Sequence, residues 1–127
     1  KLREENTRSF SLRVSSRMNA FELMEWLYLF AAGIFEIIWA TSQKYSAGFT
    51  KPVPTVITLV TAAISFVLLG LAMKNLHLGT AYAIWTGIGI VGTAVMGIFL
   101  FGEPATLTRL FFVALILAGI VGLKLTY

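Results

Sequence analysis

The sequence predicts an all-α membrane protein with four transmembrane helices per subunit, and three observations carry that prediction. Hydrophobic residues make up 57% of the 127 residues and charged residues only 13%, about half the ~25% charged fraction of an ordinary soluble domain. The charges are also crowded, since nine fall within the first 25 residues and only Glu36, Lys44, Lys51, Lys74, Glu103, Arg109 and Lys124 follow Trp26. Those seven punctuate four apolar stretches at about 26–43, 54–73, 80–101 and 105–123. Each is near the ~20 residues that cross a ~30 Å hydrocarbon layer as a helix.

The connections are short and hold the expected breakers. "KYSAGFTKPVP" contains Gly48, Pro52 and Pro54, "KNLHLG" contains Gly79, and "GEPAT" contains Pro104, so no extramembrane domain fits between the spans. Ahead of the first span, residues 1–23 are polar and lack a sustained helical period. They read as a disordered tail, an appended segment or upstream read-through, with Met24 as a natural start and 24–127 as the four-helix domain. A cleaved signal peptide is a poor description of the first span. Its apolar run exceeds the ~7–15 residues of a signal core and has Glu36 in its middle.

In "TGIGIVG", Gly87, Gly89 and Gly92 reproduce G-x-G-x-x-G, a pattern that cradles a dinucleotide only between a strand and a helix. Here it lies in an uninterrupted apolar run from Ala81 to Phe101, so nucleotide binding is rejected. Glycines in a membrane helix serve close packing or bending. The three are expected to mark a kink in the third span, and Gly89, Thr93 and Gly97 form a small-residue ridge. Ala114, Ala118 and Gly122 recur every four residues in the fourth span and share a face. Packing within one chain could use that face, but four helices leave little room for a private aqueous cavity. A dimer with the fourth helices at the seam is therefore expected.

Glu36 dominates the functional reading. It lies ten residues after Trp26, or ~15 Å along a helix, which places it near the bilayer midplane. An ionisable group at that depth is a functional candidate by default. Every basic residue beyond the leader sits in a loop or at a helix end. Lacking a fixed cationic partner, Glu36 must hold a proton or a mobile cation, and competition between the two for one site would couple their fluxes as in an antiporter. Helical spacing puts Ala32, Gly33, Glu36, Trp39, Ala40 and Gln43 on one face. Ser65 in the second span, with Tyr82 and Trp85 early in the third, adds a hydroxyl to orient a carboxylate and aromatic faces to attract a cation. Trp26 and Tyr28 read instead as anchors in the interfacial aromatic belt.

These residues resemble the small multidrug resistance transporters. The resemblance covers essentially all of 24–127 and rests on "AGIFEIIWA", "KYSAGFTKPVPT", the serine of "AISFVLL", "LGTAYAIWTGIG" and the final "GIVGLKL". Trp39, the "GTAYAIWTGIG" block and the terminal "GLK" look like the guanidinium-exporter branch. "TSQ" at 41–43 and His77 depart from that branch's usual pattern. The resemblance implies an antiparallel, dual-topology homodimer in which both copies of Glu36 face one pocket and exchange protons for small guanidinium-type cations. In that scheme Trp39 and Ser65 support the carboxylate, Tyr82 closes or gates the pocket, Trp85 packs against acid and substrate, and the glycines of the third span form the kink.

The charge pattern bears on the antiparallel arrangement independently. Counting from Met24, Lys74 and Lys124 lie on one side of the membrane and Lys44, Lys51 and Arg109 on the other. So small a bias lets a chain insert both ways, whereas the leader's basic residues would favour an internal N-terminus. No cofactor or metal is expected, because the chain has no cysteine and one histidine, too few for a thiolate or histidine cluster. No second midspan group is present to build an enzyme. The net charge of +4 suits lipid headgroups rather than nucleic acid. The expected setting is the bacterial inner membrane. Alternatives are a quaternary ammonium exporter, one half of a heterodimeric pair, or an accessory membrane subunit.

Overall fold

A computed structural model describes residues 1–126, the side chains of residues 16–19 excepted. Tyr127, the last residue of the expected domain, and the side chain of Arg17 in the leader lie outside the described residues. Four helices follow one another: α1 (Leu2–Tyr45), α2 (Pro52–Ala72), α3 (Leu78–Phe101) and α4 (Leu107–Leu125). All four are long and apolar enough to cross a membrane.

Local chemistry sets the helix ends. Lys51 is extended and Pro52 opens α2, where its fixed φ suits a first turn and its missing N–H is no loss. α3 stops at Gly102, which adopts the left-handed conformation at φ 63° while its N–H donates to the Gly97 carbonyl, a common glycine C-cap. The Thr106 side chain accepts from the Arg109 N–H at 3.2 Å and caps α4. Between α1 and α2, the Ser46 hydroxyl donates to the Gln43 carbonyl at 2.6 Å and accepts from the Phe49 N–H at 3.1 Å. These bonds hold a tight left-handed turn over Ala47, Gly48 and Phe49.

α1 begins at Leu2 and so runs through the polar leader. No glycine or proline occurs before Gly33 to interrupt it, and Glu4 and Glu5 in the first turn complement the helix dipole. Residues 1–15 are exposed.

α1 is the hub: it packs along both α2 and α3, α4 packs on α3, and α2 and α3 scarcely meet. Lipid tails are as apolar as leucine, so close fit rather than hydrophobicity must hold these pairs together. Glycines supply the fit. The Ile88 side chain lies on Gly33, Ile37 lies on Gly92, and Ile120 of α4 lies on Gly87. The buried core, which includes Leu29, Ala32, Leu69, Ala72, Ala81, Ile84 and Trp85, occupies one end of the bundle. There Asn75 donates to the Glu25 carboxylate, and the Lys124 ammonium sits 4.9 Å over the Trp26 ring. Trp26 is only 7% accessible, which corrects its reading as a lipid-boundary anchor. Its ring is packed inside the bundle beneath a basic side chain.

The opposite end is fastened by charge. Arg109 donates to the Glu103 carboxylate at 2.5 Å, Lys44 approaches the same group at 4.0 Å, and Lys44 also lies 4.8 Å over the Phe101 ring. Substituting Gly92→Val should therefore destabilise the α1–α3 contact, since the added atoms overlap Ile37, by about 1–3 kcal/mol. Gly70→Ala, where nothing lies within 4 Å, should stay within about 0.5 kcal/mol of the parent. Thermal unfolding of both variants in detergent checks this, and equal stability would refute the assigned contact.

Candidate functional site

Glu36 emerges from α1 between two contact lines. Ala32 and Trp39 face α2, through Ser65 and Phe66, whereas Gly33 and Ile37 face α3. Successive helical residues turn by about 100°, so Glu36 falls between these lines, on the side of α1 that faces both α2 and α3. Its carboxyl rests directly on Gly89 of α3, where any Cβ would overlap the carboxyl atoms. Oε2 is buried and has no hydrogen-bond partner. Among the described residues no Lys or Arg pairs with it; the ion pairs are those of Glu103.

Ser65 ties three helices together beside this acid. Fully buried on α2, its hydroxyl donates to the Ala32 carbonyl at 2.6 Å and accepts from the Trp85 indole N–H at 3.0 Å. Ala32 lies one turn before Glu36, and its carbonyl is also the helical acceptor for the Glu36 N–H. Ser65 thus fixes the backbone that carries the acid without touching the carboxyl itself. Trp85 continues into a run of tilted aromatic pairs: Tyr82–Trp85 at 5.3 Å, Trp85–Phe66 at 5.8 Å and Phe66–Trp39 at 6.4 Å between centroids. Tyr82 and Phe66 are about half exposed, at 53% and 55%, so the run has an open flank. The Trp39 indole nitrogen is buried without a partner.

The structure links Trp39, Ser65, Tyr82 and Trp85 through these hydrogen-bond and ring contacts, with Glu36 on Gly89 one helical turn from Ala32. Gln43, on the same face of α1, is exposed further along the helix. Gly87, Gly89 and Gly92 lie within unbroken helix, and each receives a side chain from a neighbour, namely Ile120, Glu36 and Ile37. Ala114 and Ala118 are exposed and Gly122 has nothing within 4 Å of an added Cβ, so that face of α4 is unused within the chain. Sequence reasoning missed two features. Phe66 was not singled out, although its adjacency to Ser65 is a usable signal. The Gly89 contact with Glu36 had no sequence signal, because it depends on how α3 is rotated against α1.

A four-helix membrane bundle with a buried, unpaired carboxyl beside a run of aromatic rings fits a membrane transporter. The family profile described as Small Multidrug Resistance protein matches residues 24–116, and the chain belongs to that family. Among curated relatives it is 58% identical over 102 residues to a guanidinium exporter of Yersinia pseudotuberculosis serotype I (strain IP32953) and 54% identical over 102 residues to one of Proteus vulgaris. Each match covers 80% of this chain and 98% of the relative. A guanidinium exporter of Salmonella typhimurium (strain LT2) is 52% identical over 103 residues, which cover 81% of this chain and 98% of the relative. The protein is accordingly a multi-pass transporter of the bacterial inner membrane.

Glu103 forms a second acidic contact with α3. Its carboxyl folds back over Gly97, and its N–H donates to the Gly97 carbonyl at 3.1 Å. The hydrogen bond from Arg109, helped by the positive charges of Arg109 and Lys44, holds this carboxyl below the ordinary value of 4.5. A carboxylate held lower when folded than unfolded contributes stability above its unfolded value and loses it as pH falls through the folded one. The 102–106 loop should therefore exchange its amide hydrogens faster, beyond the intrinsic pH trend, once the pH drops below about 4.5. Glu103→Gln should show the faster exchange already at neutral pH. Identical protection in parent and variant would dismiss the clasp.

Proposed function

We propose that the protein is a proton-coupled antiporter exporting small guanidinium-type cations, with Glu36 holding proton and substrate in turn. The observation that carries this reading is the Glu36 carboxyl, buried on Gly89 with an oxygen that has no partner. A carboxylate at membrane depth needs a compensating positive charge, and without a fixed one the compensation is mobile. A proton neutralises it covalently and a cation neutralises it by pairing. The two exclude each other, and that competition alone couples the movements.

Guanidinium suits the site because its planar array of N–H donors can form paired, charge-assisted hydrogen bonds to a carboxylate, and aromatic faces attract what remains of the charge. Relatives at 50–58% identity are named guanidinium exporters, which supports the same substrate. Trp39 narrows the space beside the acid, Ser65 and Trp85 hold the backbone and wall, and half-exposed Tyr82 guards the opening. The Gly-rich part of α3 is the point at which that helix bends during transport.

An antiparallel homodimer completes the reading. The aromatic run has an open flank, the Ala114–Ala118–Gly122 face of α4 is free to pack on a second copy, and nearly balanced Lys and Arg counts permit dual insertion. The transporter unit is 24–127, a division supported by the profile match beginning at residue 24.

Glu36→Gln should abolish guanidinium-induced proton release from detergent-solubilised protein while leaving the fold intact, because an amide of similar size packs alike but cannot exchange a proton. Normal proton release by this variant would end the antiport reading. In vesicles, Trp39→Gly should weaken guanidinium transport and relax selection against larger cations such as tetraethylammonium. An unchanged ratio of the two fluxes would remove Trp39 from the selectivity determinants.

A further inference from the structure

Three buried side-chain polar atoms have no hydrogen-bond partner among the described residues: Glu36 Oε2, Trp39 Nε1 and Thr86 Oγ1. The first two belong to the site described above, and the third has no role in it. Thr86 differs from five other threonines of the spans. Thr41, Thr55, Thr58, Thr61 and Thr93 each donate to the carbonyl four residues back, at 2.6–2.8 Å. Local back-bonding is the usual way for a helix to satisfy a hydroxyl in an apolar setting, and Thr86 forgoes it.

Its position is informative. Thr86 precedes Gly89 by three residues, so it lies on the same side of α3, one turn from the surface on which the Glu36 carboxyl rests. With Tyr82, Gly89 and Thr93 it forms one stripe along α3 at helical spacing. Gly87, which receives Ile120 of α4, falls on a different side of the helix. The preceding residue, Trp85, is held by Ser65 at 3.0 Å, which fixes the rotation of α3 at this point.

We propose that Thr86 is a substrate-contacting specificity residue whose hydroxyl oxygen accepts an N–H of the guanidinium cation paired with Glu36. This inference rests on the reading of Glu36 as the cation site. A guanidinium carries more N–H groups than one carboxylate can take in a paired contact, and in a site of low polarity the remainder need acceptors. The Trp39 indole is a donor only and cannot serve. A threonine hydroxyl can turn its own proton to the Tyr82 carbonyl, as its counterparts do one turn back, and present a lone pair to the cation. A proton on Glu36 needs no such acceptor. Thr86 therefore strengthens cation binding selectively and shifts the competition at the carboxyl toward substrate.

The test uses the full chain in detergent, with guanidinium affinity read from tryptophan fluorescence and proton binding read from a pH titration without guanidinium. Thr86→Val keeps the shape and removes the acceptor, so guanidinium binding should weaken about tenfold, the effect of one hydrogen bond to a charged group. The proton-binding midpoint should stay where it is. Thr86→Ser should restore guanidinium affinity to within about twofold of the parent, since the acceptor returns. Parental guanidinium affinity in Thr86→Val overturns the proposal. So does an equal displacement of guanidinium and proton binding, which marks a purely structural role. Glu36→Gln separates the two levels. If it still binds guanidinium, the site reading itself fails; if it does not while Thr86→Val binds normally, only the role of Thr86 is lost.

Discussion

An unpaired carboxyl midway along an apolar helix is the constraint around which the rest of this molecule is arranged. Burying such a group is costly unless it is paired and hydrogen-bonded, and the chain withholds a fixed partner from it. Glu36 is instead given room, by the bare backbone of Gly89, and a rigid footing, by the Ser65 bond to the Ala32 carbonyl one turn away. A permanent ion pair would satisfy the carboxyl better and leave nothing to exchange. The open oxygen is thus a structural cost that buys reactivity, and the hydrogen-bonded junction of α1, α2 and α3 keeps the cost local.

That junction also divides the bundle into unlike halves. Below it lies the compact core from Trp26 to Ala32 on α1, with the end of α2 and the start of α3. Above it, attachment depends on the close contacts of Ile37 with Gly92 and Glu36 with Gly89, the Trp39–Phe66 ring contact and the charge clasp of Lys44, Glu103 and Arg109. Close-packed interiors resist small deformations, whereas exposed ion pairs contribute little and are screened by salt. Rearrangement within one subunit is accordingly expected in the upper half, with the core as the pivot.

One ridge of α3 serves both acidic groups. Gly89 lies under Glu36 and Gly97 under Glu103, eight residues apart along the same i, i+4 ridge, which winds about 80° around the helix over that distance. The upper carboxylate has two basic neighbours and the lower has none. The difference follows from depth: a loop at the membrane surface can supply Lys44 and Arg109, and the interior of four apolar helices cannot. Identical backbone accommodation therefore yields a fastening at one level and an exchangeable site at the other.

Much of this was legible in the sequence because it depends on composition and helical period alone. Four apolar runs of spanning length leave a chain no alternative to four helices, and a lone glutamate ten residues into the first run marks its own depth. The small-residue pattern of α3 also announced close approach at Gly89 and Gly97. The rotation of each helix about its axis could not be read, because in a membrane both buried and lipid-facing positions are apolar and hydropathy does not tell them apart. For that reason Trp26 read as a boundary anchor although it is packed inside. Only the tertiary structure decided that Gly89 receives Glu36, that Ser65 grips the Ala32 carbonyl rather than the acid, and that Thr86 is left without a partner. Each of these is a contact between helices, fixed by their mutual rotation and register.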